Sequence, residues 1–167
     1  MHEAISNTST LIHLSAIGHL KLLKEFHGKI VIPPAVWKEI VEKGKTRPGV
    51  KEIKEARKDG WLKIMTPENK PLLRLLSMQL DNGEAEAIAL AIEREASIIF
   101  LDESDARKTA EIYKLQKTGV IGILIRAKLQ KRIPSLKKEL DKLQNRNNFW
   151  IDKKLYRKAI ESVGERI

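Results

Sequence analysis

The sequence predicts an α/β fold with a central parallel sheet covered by helices on both faces, and three observations lead to it. Short β-branched runs alternate with amphipathic helical stretches along the 167 residues. The segment 97–101 is apolar from Ile98 to Leu101, as expected of a parallel strand buried on both faces. No linker, repeat or low-complexity tract interrupts the alternation. We therefore predict a single domain over residues 1–167, with extra C-terminal helices at about 134–163 packed on it.

Five strands are predicted from β-branched runs and from the residues that stop them. Ala4–Ser6 is the first, and residues 29–32 are the second. Pro33 and Pro34 end the second strand, because proline has no N–H to donate to a sheet ladder. Residues 61–64 and 97–101 form the third and fourth strands, and a short fifth strand is placed near Lys117.

Helices are predicted between these strands. Pro34 suits the first turn of a helix that continues through "AVWKEIVEK". Residues 49–60 form the next helix, and residues 81–96 form one whose Ala-rich face allows close packing on a sheet. Two more helices cover "ESDARKTAEIYKLQ" and "GVIGILIRAKLQ". Apolar residues at helical spacing indicate two last helices: Leu136, Leu140 and Leu143, then Leu155, Ala159 and Val163.

Composition narrows the class of protein. The chain has 32 Lys and Arg against 22 Asp and Glu, a formal charge of +10 that favours polyanionic partners, although charged surfaces of the thermophile type give a similar composition. The absence of Cys excludes disulfides, thiolate zinc sites and cysteine nucleophiles. The sequence has no apolar run of membrane-spanning length and no signal peptide, so we expect a cytoplasmic protein that does not enter a membrane.

Oxygen-bearing side chains collect at one edge of the predicted sheet. Asn7 and Asp102 follow the first and fourth strands, Glu39 lies one turn into the helix after the second strand, and Glu84 lies in the first turn of the helix before the fourth. Ligands of open parallel sheets bind beyond the carboxyl ends of the strands. Crowded carboxylates need a proton or a cation, and hard oxygen ligands without Cys or His suit Mg²⁺ or Mn²⁺.

Each of these acids also has a structural interpretation. Asp102 is placed to cap the following helix. Glu84 is three residues after Asp81, the spacing of a capping box. Glu39 is one helical turn from Lys43 and suits an ordinary solvated pair. The sequence leaves these alternatives open.

Other candidate motifs are weaker. The histidines show no zinc-like pairing and are expected in core or surface positions: His2, His13, His19 and His27. "GVIGIL" lacks the Gly-Lys-Ser/Thr of a phosphate loop, and no serine nucleophile elbow is present. The tryptophans form no regular base-stacking series, so each is expected to contribute to packing: Trp37, Trp61 and Trp150.

Four segments together resemble the PIN-domain superfamily: "AISNTSTLIHLSAIGHLKLL", "VIPPAVWKEI", "DNGEAEAIALAIEREASIIFLDESDARKTA" and "GVIGILIRAKLQKRIPSLKKELDKL". Within it they look like a poorly characterised prokaryotic branch related to VapC-type toxins. The resemblance runs nearly the whole chain and rests on the order and spacing of short motifs. It implies a three-layer α/β/α sandwich with extra C-terminal helices, a Mg²⁺- or Mn²⁺-dependent ribonuclease centre, RNA as substrate, and a homodimer.

The resemblance also assigns the site residues. It places the family's four acidic positions at Asn7, Glu39, Glu84 and Asp102, and a further acid near Asp105. All five are expected metal ligands, with Glu39, Glu84 and Asp102 as the catalytic set. Asn7 departs from the family pattern, which has Asp after the first strand. Its amide oxygen coordinates a hard cation but adds no charge, and the same oxygen suits a helix N-cap.

Three functions follow from these observations. The first is a metal-dependent endoribonuclease, in the resembling branch a toxin with an antitoxin protein as partner. The second is a degenerate PIN module that binds RNA or a protein without cleavage, which the replacement at Asn7 suggests. The third, a nucleotide-binding α/β regulator, lacks a phosphate-loop signature.

Overall fold

The structure is a computed structural model that describes residues 3–44 and 47–167. Contacts between residues divide the chain into two compact units, unit 1 (Met1–Thr118) and unit 2 (Gly119–Ile167). That the two units make one domain stays a prediction. The central sheet belongs to unit 1, and the additional C-terminal helices belong to unit 2.

A five-stranded sheet with only parallel pairings forms the centre of unit 1. Its strands run in the order β3-β2-β1-β4-β5, with these bounds: β1 Ala4–Ser6, β2 Ile30–Ile32, β3 Leu62–Ile64, β4 Ile98–Phe100 and β5 Lys117–Thr118. Every residue of β1 is buried, because this strand pairs with β2 on one side and β4 on the other. The predicted parallel sheet is confirmed, and the carboxyl ends of β2, β1 and β4 lie side by side.

The helices of unit 1 complete the predicted α/β/α sandwich. They are α1 Thr8–Ala16, α2 Lys21–His27, α3 Pro34–Lys43, α4 Val50–Lys58, α5 Lys70–Leu76, α6 Asn82–Glu93 and α7 Ser104–Ile112. Helices α2 and α5 are absent from the sequence prediction, because seven residues give too few turns for apolar periodicity to show. No helix in the described part of the chain has both the length and the apolar character needed to cross a bilayer.

Helix α6 packs on β1 and β4 and carries much of the core. Its alanines, including Ala85 and Ala89, are fully buried with Ile5 of β1 and Ile99 of β4 in one apolar cluster. Small side chains on this helix let its backbone approach the sheet, as its Ala-rich sequence predicts. The first turn of α6 is therefore held close to the strand ends.

Two predicted helices end about one turn early. Helix α7 stops before Lys114, which has φ 56°, and the N–H of Leu115 donates to the Ala110 carbonyl over 3.0 Å. Helix α6 closes in the same way around Glu95, with φ 48°. This left-handed closure usually contains glycine. Because Lys and Glu occupy the position here, the sequence carries no stop signal, and the predicted bounds of 81–96 and 103–116 are too long.

Unit 2 consists of helices α8 (Val120–Leu129), α9 (Leu136–Asn147) and α10 (Lys153–Ser162), which contact one another pairwise. The two last predicted helices are confirmed. Ser135 caps α9, and Asp152 caps α10 by accepting from two backbone N–H groups. Val163 follows the last turn of α10 instead of belonging to it.

The expectation that every tryptophan packs is wrong for one of the three. Trp61 is 8% exposed, and Trp37 lies against the Arg57 guanidinium at 4.6 Å. Trp150 is 81% exposed, between α9 and α10. Its neighbour Ile151 is buried in its place.

Candidate active site

Hydrogen bonds tie the carboxyl ends of β1 and β4 to the first turn of α1. The N–H of Asn7 donates to the Phe100 carbonyl over 3.2 Å. Its side-chain oxygen accepts from the N–H of Thr10 over 3.2 Å, and the Thr10 hydroxyl donates to Oδ2 of Asp102 over 2.7 Å. Asn7 is 3% exposed and Thr10 is fully buried, so water does not compete strongly for these bonds. The set fixes Asp102 beside α1.

A second threonine holds the acid of α3. The Thr8 hydroxyl donates to Oε2 of Glu39 over 2.8 Å. The same oxygen lies close to the backbone of Gly83 in the first turn of α6, where a Cβ atom would approach it to 3.2 Å. The absence of a side chain at Gly83 therefore leaves room for the Glu39 carboxylate.

A small cleft of about 100 Å³ lies at the carboxyl edge of the sheet, and Asn7, Thr8, Glu39 and Gly83 line it. Asn7, Glu39 and Glu84 lie on its wall, so three predicted site residues from α3, α6 and the end of β1 meet there. Asp81 and Glu103 also line it. The cleft thus gathers carboxylates from segments far apart in sequence.

The surroundings of Glu84 in this cleft disfavour its ionised form. Burial, and then the negative charge of Asp81, raise the pKa of Glu84 to about 7, and Glu103 and Asp105 act in the same direction. A hydrogen bond with the backbone of Asp81 opposes them only in part. Like charges that share a partly buried site favour a proton or a cation. The chemistry of the cleft is therefore suited to binding a positive charge.

Two basic groups also line the cleft, and the sequence prediction misses both. Burial lowers the pKa of His13, and the Arg47 charge adds to this against the opposing effect of Glu103. The imidazole lies partly buried in the cleft wall. Arg47 lies in an exposed bend between α3 and α4, where no periodic pattern could have marked it.

The remaining predicted residues stand slightly apart. Asp102 does not line the cleft and is linked to it only through Thr10, which bonds to Asn7 on the cleft wall. Asp105 acts on Glu84 through its charge and does not line the cleft either. Among the described residues, no three His, Asp or Glu side chains are close enough together to hold a metal ion. The metal-binding and catalytic roles of Asn7, Glu39, Glu84, Asp102 and Asp105 stay predictions.

The structure decides three of the structural alternatives. Asn7 does cap α1, and Asp81 caps α6 by accepting from the N–H of Glu84 over 2.8 Å. The N-cap position of α7 is Glu103, so the interpretation of Asp102 as a helix cap is wrong. The proposed partner of Glu39, the Lys43 side chain, lies outside the described residues, as does His2.

Comparison with known proteins places the chain in a family but beside no characterised relative. A family model described as a PIN domain matches residues 3–165. The matched stretch runs from β1 to α10 and so includes every residue of the cleft. A comparison with curated proteins finds no match.

The raised pKa of Glu84 predicts a pH-dependent loss of stability. The folded protein holds this proton more tightly than the unfolded chain, so the free energy of unfolding falls as pH rises from 4.5 to about 7 and then levels off. Glu84→Gln removes this decline. The free energy of unfolding of the variant should therefore gain on that of the parent as pH rises from 4.5 to about 7. Urea unfolding in EDTA at several pH values measures it, with exposed Glu55→Gln as the matched control. A constant difference at all pH values would contradict the assignment.

A substitution at Gly83 should change the geometry of the site without lowering the stability of the fold. Gly83→Ala should leave stability unchanged or raise it by about 0.5–1 kcal/mol, because alanine favours the helix. The new methyl group lies against Oε2 of Glu39 and should shift that carboxylate by a few tenths of an ångström. A crystal structure of the variant and a thermal melt test this. A Glu39 carboxylate that keeps its Thr8 bond and position in the variant would contradict the prediction.

Proposed function

Since the chain belongs to the PIN-domain family, we propose that it is a metal-dependent endoribonuclease that hydrolyses RNA phosphodiester bonds at the cleft. PIN domains are generally nucleases, and the fold and the position of the cleft agree with that class. The observation that carries the proposal is the group of acids around Glu84, whose pKa is raised to about 7. A toxin role with an antitoxin partner, and a homodimer, are further parts of the proposal that rest on the resemblance to VapC-type proteins.

The cleft residues fit a hard divalent cation by their chemistry. Carboxylate and amide oxygens are the donors that Mg²⁺ and Mn²⁺ prefer, and burial and then the charge of Asp81 raise the pKa of Glu84, both of which a bound cation would offset. Glu39, Glu84 and Asp102 would hold the ion, with Asn7 and Asp105 as additional oxygen donors, and these side chains would have to draw together on binding because no three of the described acids lie within reach of one ion. The ion, when bound, supplies positive charge that activates water and neutralises the phosphate.

The chain's own residues prepare the site in two ways. The hydroxyls of Thr8 and Thr10 orient the carboxylates of Glu39 and Asp102 through hydrogen bonds of 2.8 and 2.7 Å. Arg47, on the cleft wall, offers guanidinium N–H groups to a phosphate oxygen of the substrate. Such outer partners keep ligand side chains in position, and their removal commonly lowers activity by roughly 10- to 100-fold.

A degenerate module that binds RNA or a protein without cleavage is the second candidate, and Asn7 favours it. The Asn7 side chain is occupied as the N-cap of α1 and brings no negative charge to the cleft. The two candidates differ in a direct measurement, since only the nuclease produces new RNA ends.

Cleavage of a labelled RNA in Mn²⁺ tests the proposed function. Glu84→Gln and Asp102→Asn should each lower the rate by roughly 100-fold or more, because each removes a charge from the metal site. Thr10→Val, which keeps the carboxylate but loses the 2.7 Å bond, should lower it by roughly 10- to 100-fold. Glu55→Gln serves as the surface control and should retain full activity. A parent protein that cleaves no RNA in Mg²⁺ or Mn²⁺ supports the degenerate module instead.

Asn7→Asp tests the departure from the family pattern. Asp caps helices about as well as Asn, so a capping role alone predicts no response of the melting temperature to Mn²⁺. The metal-site proposal predicts a lower melting temperature in EDTA, because a fourth carboxylate is added at a position only 3% exposed. It also predicts a larger stabilisation on adding Mn²⁺ and a higher cleavage rate.

Asp102→Asn provides the opposite change for this experiment. It should raise the melting temperature in EDTA and abolish the response to Mn²⁺. If Asn7→Asp and Asp102→Asn both melt like the parent with and without metal, the acids serve only the local structure and the metal site is rejected.

A further inference from the structure

The positive charge of the chain is concentrated in unit 2. Residues 119–167 contain 13 Lys and Arg against 5 Asp and Glu, which is a formal +8 of the chain's +10. Unit 1 has 19 Lys and Arg against 17 Asp and Glu, so it contributes only +2 over more than twice the length. Attraction of polyanions by this chain is therefore mainly a property of its C-terminal helices.

Part of this charge is neutralised within unit 2. Lys137 pairs with Asp141 at 3.0 Å, and Lys142 pairs with Glu139 at 3.1 Å. The cations that remain concentrate in residues 146–158, which we call the basic corner: Arg146, Lys153, Lys154, Arg157 and Lys158. All five are exposed, and none of them forms an ion pair within the described residues.

Trp150 stands in the middle of the basic corner, 81% exposed and held by its neighbours. The N–H of Phe149 donates to the Leu143 carbonyl over 3.1 Å, and Ile151 is 4% exposed. Asp152, the one acid of the corner, is engaged in capping α10. A large aromatic ring is thus presented to solvent by a fixed connection, without the support of an apolar surface of its own. Stacking on a flat partner is the interaction that this arrangement serves.

The orientation of α10 places its cations outward. The Tyr156 hydroxyl donates to Asp141 of α9 over 2.6 Å, and Ala159 and Ile160 are buried. The opposite side of α10 is exposed, with Lys154 and Lys158 one helical turn apart. Its cations are therefore free for a ligand that carries regularly spaced negative charge.

We propose that the basic corner binds single-stranded nucleic acid, with phosphates on the cations of α10 and a base stacked on Trp150. Exposed cations that flank an aromatic ring are the combination that binds single strands without sequence preference. A lipid surface suits the corner less well, because the apolar side of α10 is buried in unit 2 and leaves only Trp150 and Leu155 to insert. The residues of the basic corner are different from those of the acidic cleft, and the proposed binding is a property beyond the proposed cleavage.

Fluorescence anisotropy in EDTA, with labelled oligonucleotides of about 12 nucleotides, tests the proposal independently of any cleavage. Trp150→Ala should lower the affinity for single-stranded RNA by roughly tenfold and leave duplex binding unchanged, because only unpaired bases stack. Trp150→Phe should restore most of the loss. The same sequence as DNA shows whether the surface recognises phosphates and bases in general or RNA alone.

The charge contribution has a matched control. The double variant Lys154→Gln with Lys158→Gln removes two exposed charges one turn apart on α10, and Lys54→Gln with Lys58→Gln removes the same pair from α4. The first should reduce the slope of log affinity against log salt by roughly 1.4, at about 0.7 for each phosphate contact. The second should leave the slope unchanged.

Two results would overturn the proposal. One is an affinity for single-stranded RNA that is the same in Trp150→Ala as in the parent. If Trp150→Ala also weakens binding to phosphatidylserine vesicles, the corner is assigned to a membrane instead. The other is an equal effect of the α10 and α4 double variants, which would show that net charge alone attracts the nucleic acid.

Discussion

The parallel alignment of β1 between β2 and β4 is the constraint on which the candidate site depends. Because the three strands run in the same direction, the residues that follow each of them reach one edge of the sheet. An antiparallel β1 would carry Asn7 and α1 to the opposite edge. The threonines of α1 would then face neither Glu39 nor Asp102. Strands of only three residues can enforce this arrangement because β1 is buried on all sides and paired on both.

The chain's formal charge of +10 is distributed unevenly between the two units. Unit 1 is nearly balanced, yet it gathers acids around the partly buried Glu84 at the carboxyl edge of the sheet. Burial, and then the charge of Asp81, raise the pKa of Glu84, so placing an ionised carboxylate at this position costs stability at neutral pH. Interactions that cost stability are typical of functional sites and not of scaffolds. Unit 2 carries most of the positive excess, and the five cations of its basic corner are exposed, where solvent and salt screen their repulsion.

The sequence predicts most of the fold but only part of the site. Apolar runs and proline stops locate the strands to within about a residue, since burial on both faces leaves few alternatives. Helix ends at Glu93 and Ile112 are missed because Glu95 and Lys114 adopt a left-handed conformation that normally signals itself through glycine. The family resemblance locates Asn7, Glu39 and Glu84, which do share a cleft. Thr10, His13 and Arg47 are missed, because their positions depend on long-range packing and no local spacing encodes it.

Asn7 need not be a sign of a lost site. An amide oxygen has two lone pairs, so accepting the N–H of Thr10 does not exhaust its capacity as a donor to a cation. A carboxylate at the same position, 3% exposed, would add a charge to a cleft where Glu84 already holds its proton to about pH 7. The amide keeps the helix cap and an oxygen near the strand end while it avoids that repulsion in the metal-free protein. By the same reasoning it lowers the affinity for a divalent ion, because the attraction of one full charge is absent. In the proposed metal site the replacement would therefore exchange metal affinity for stability, and a substrate phosphate would supply the missing negative charge.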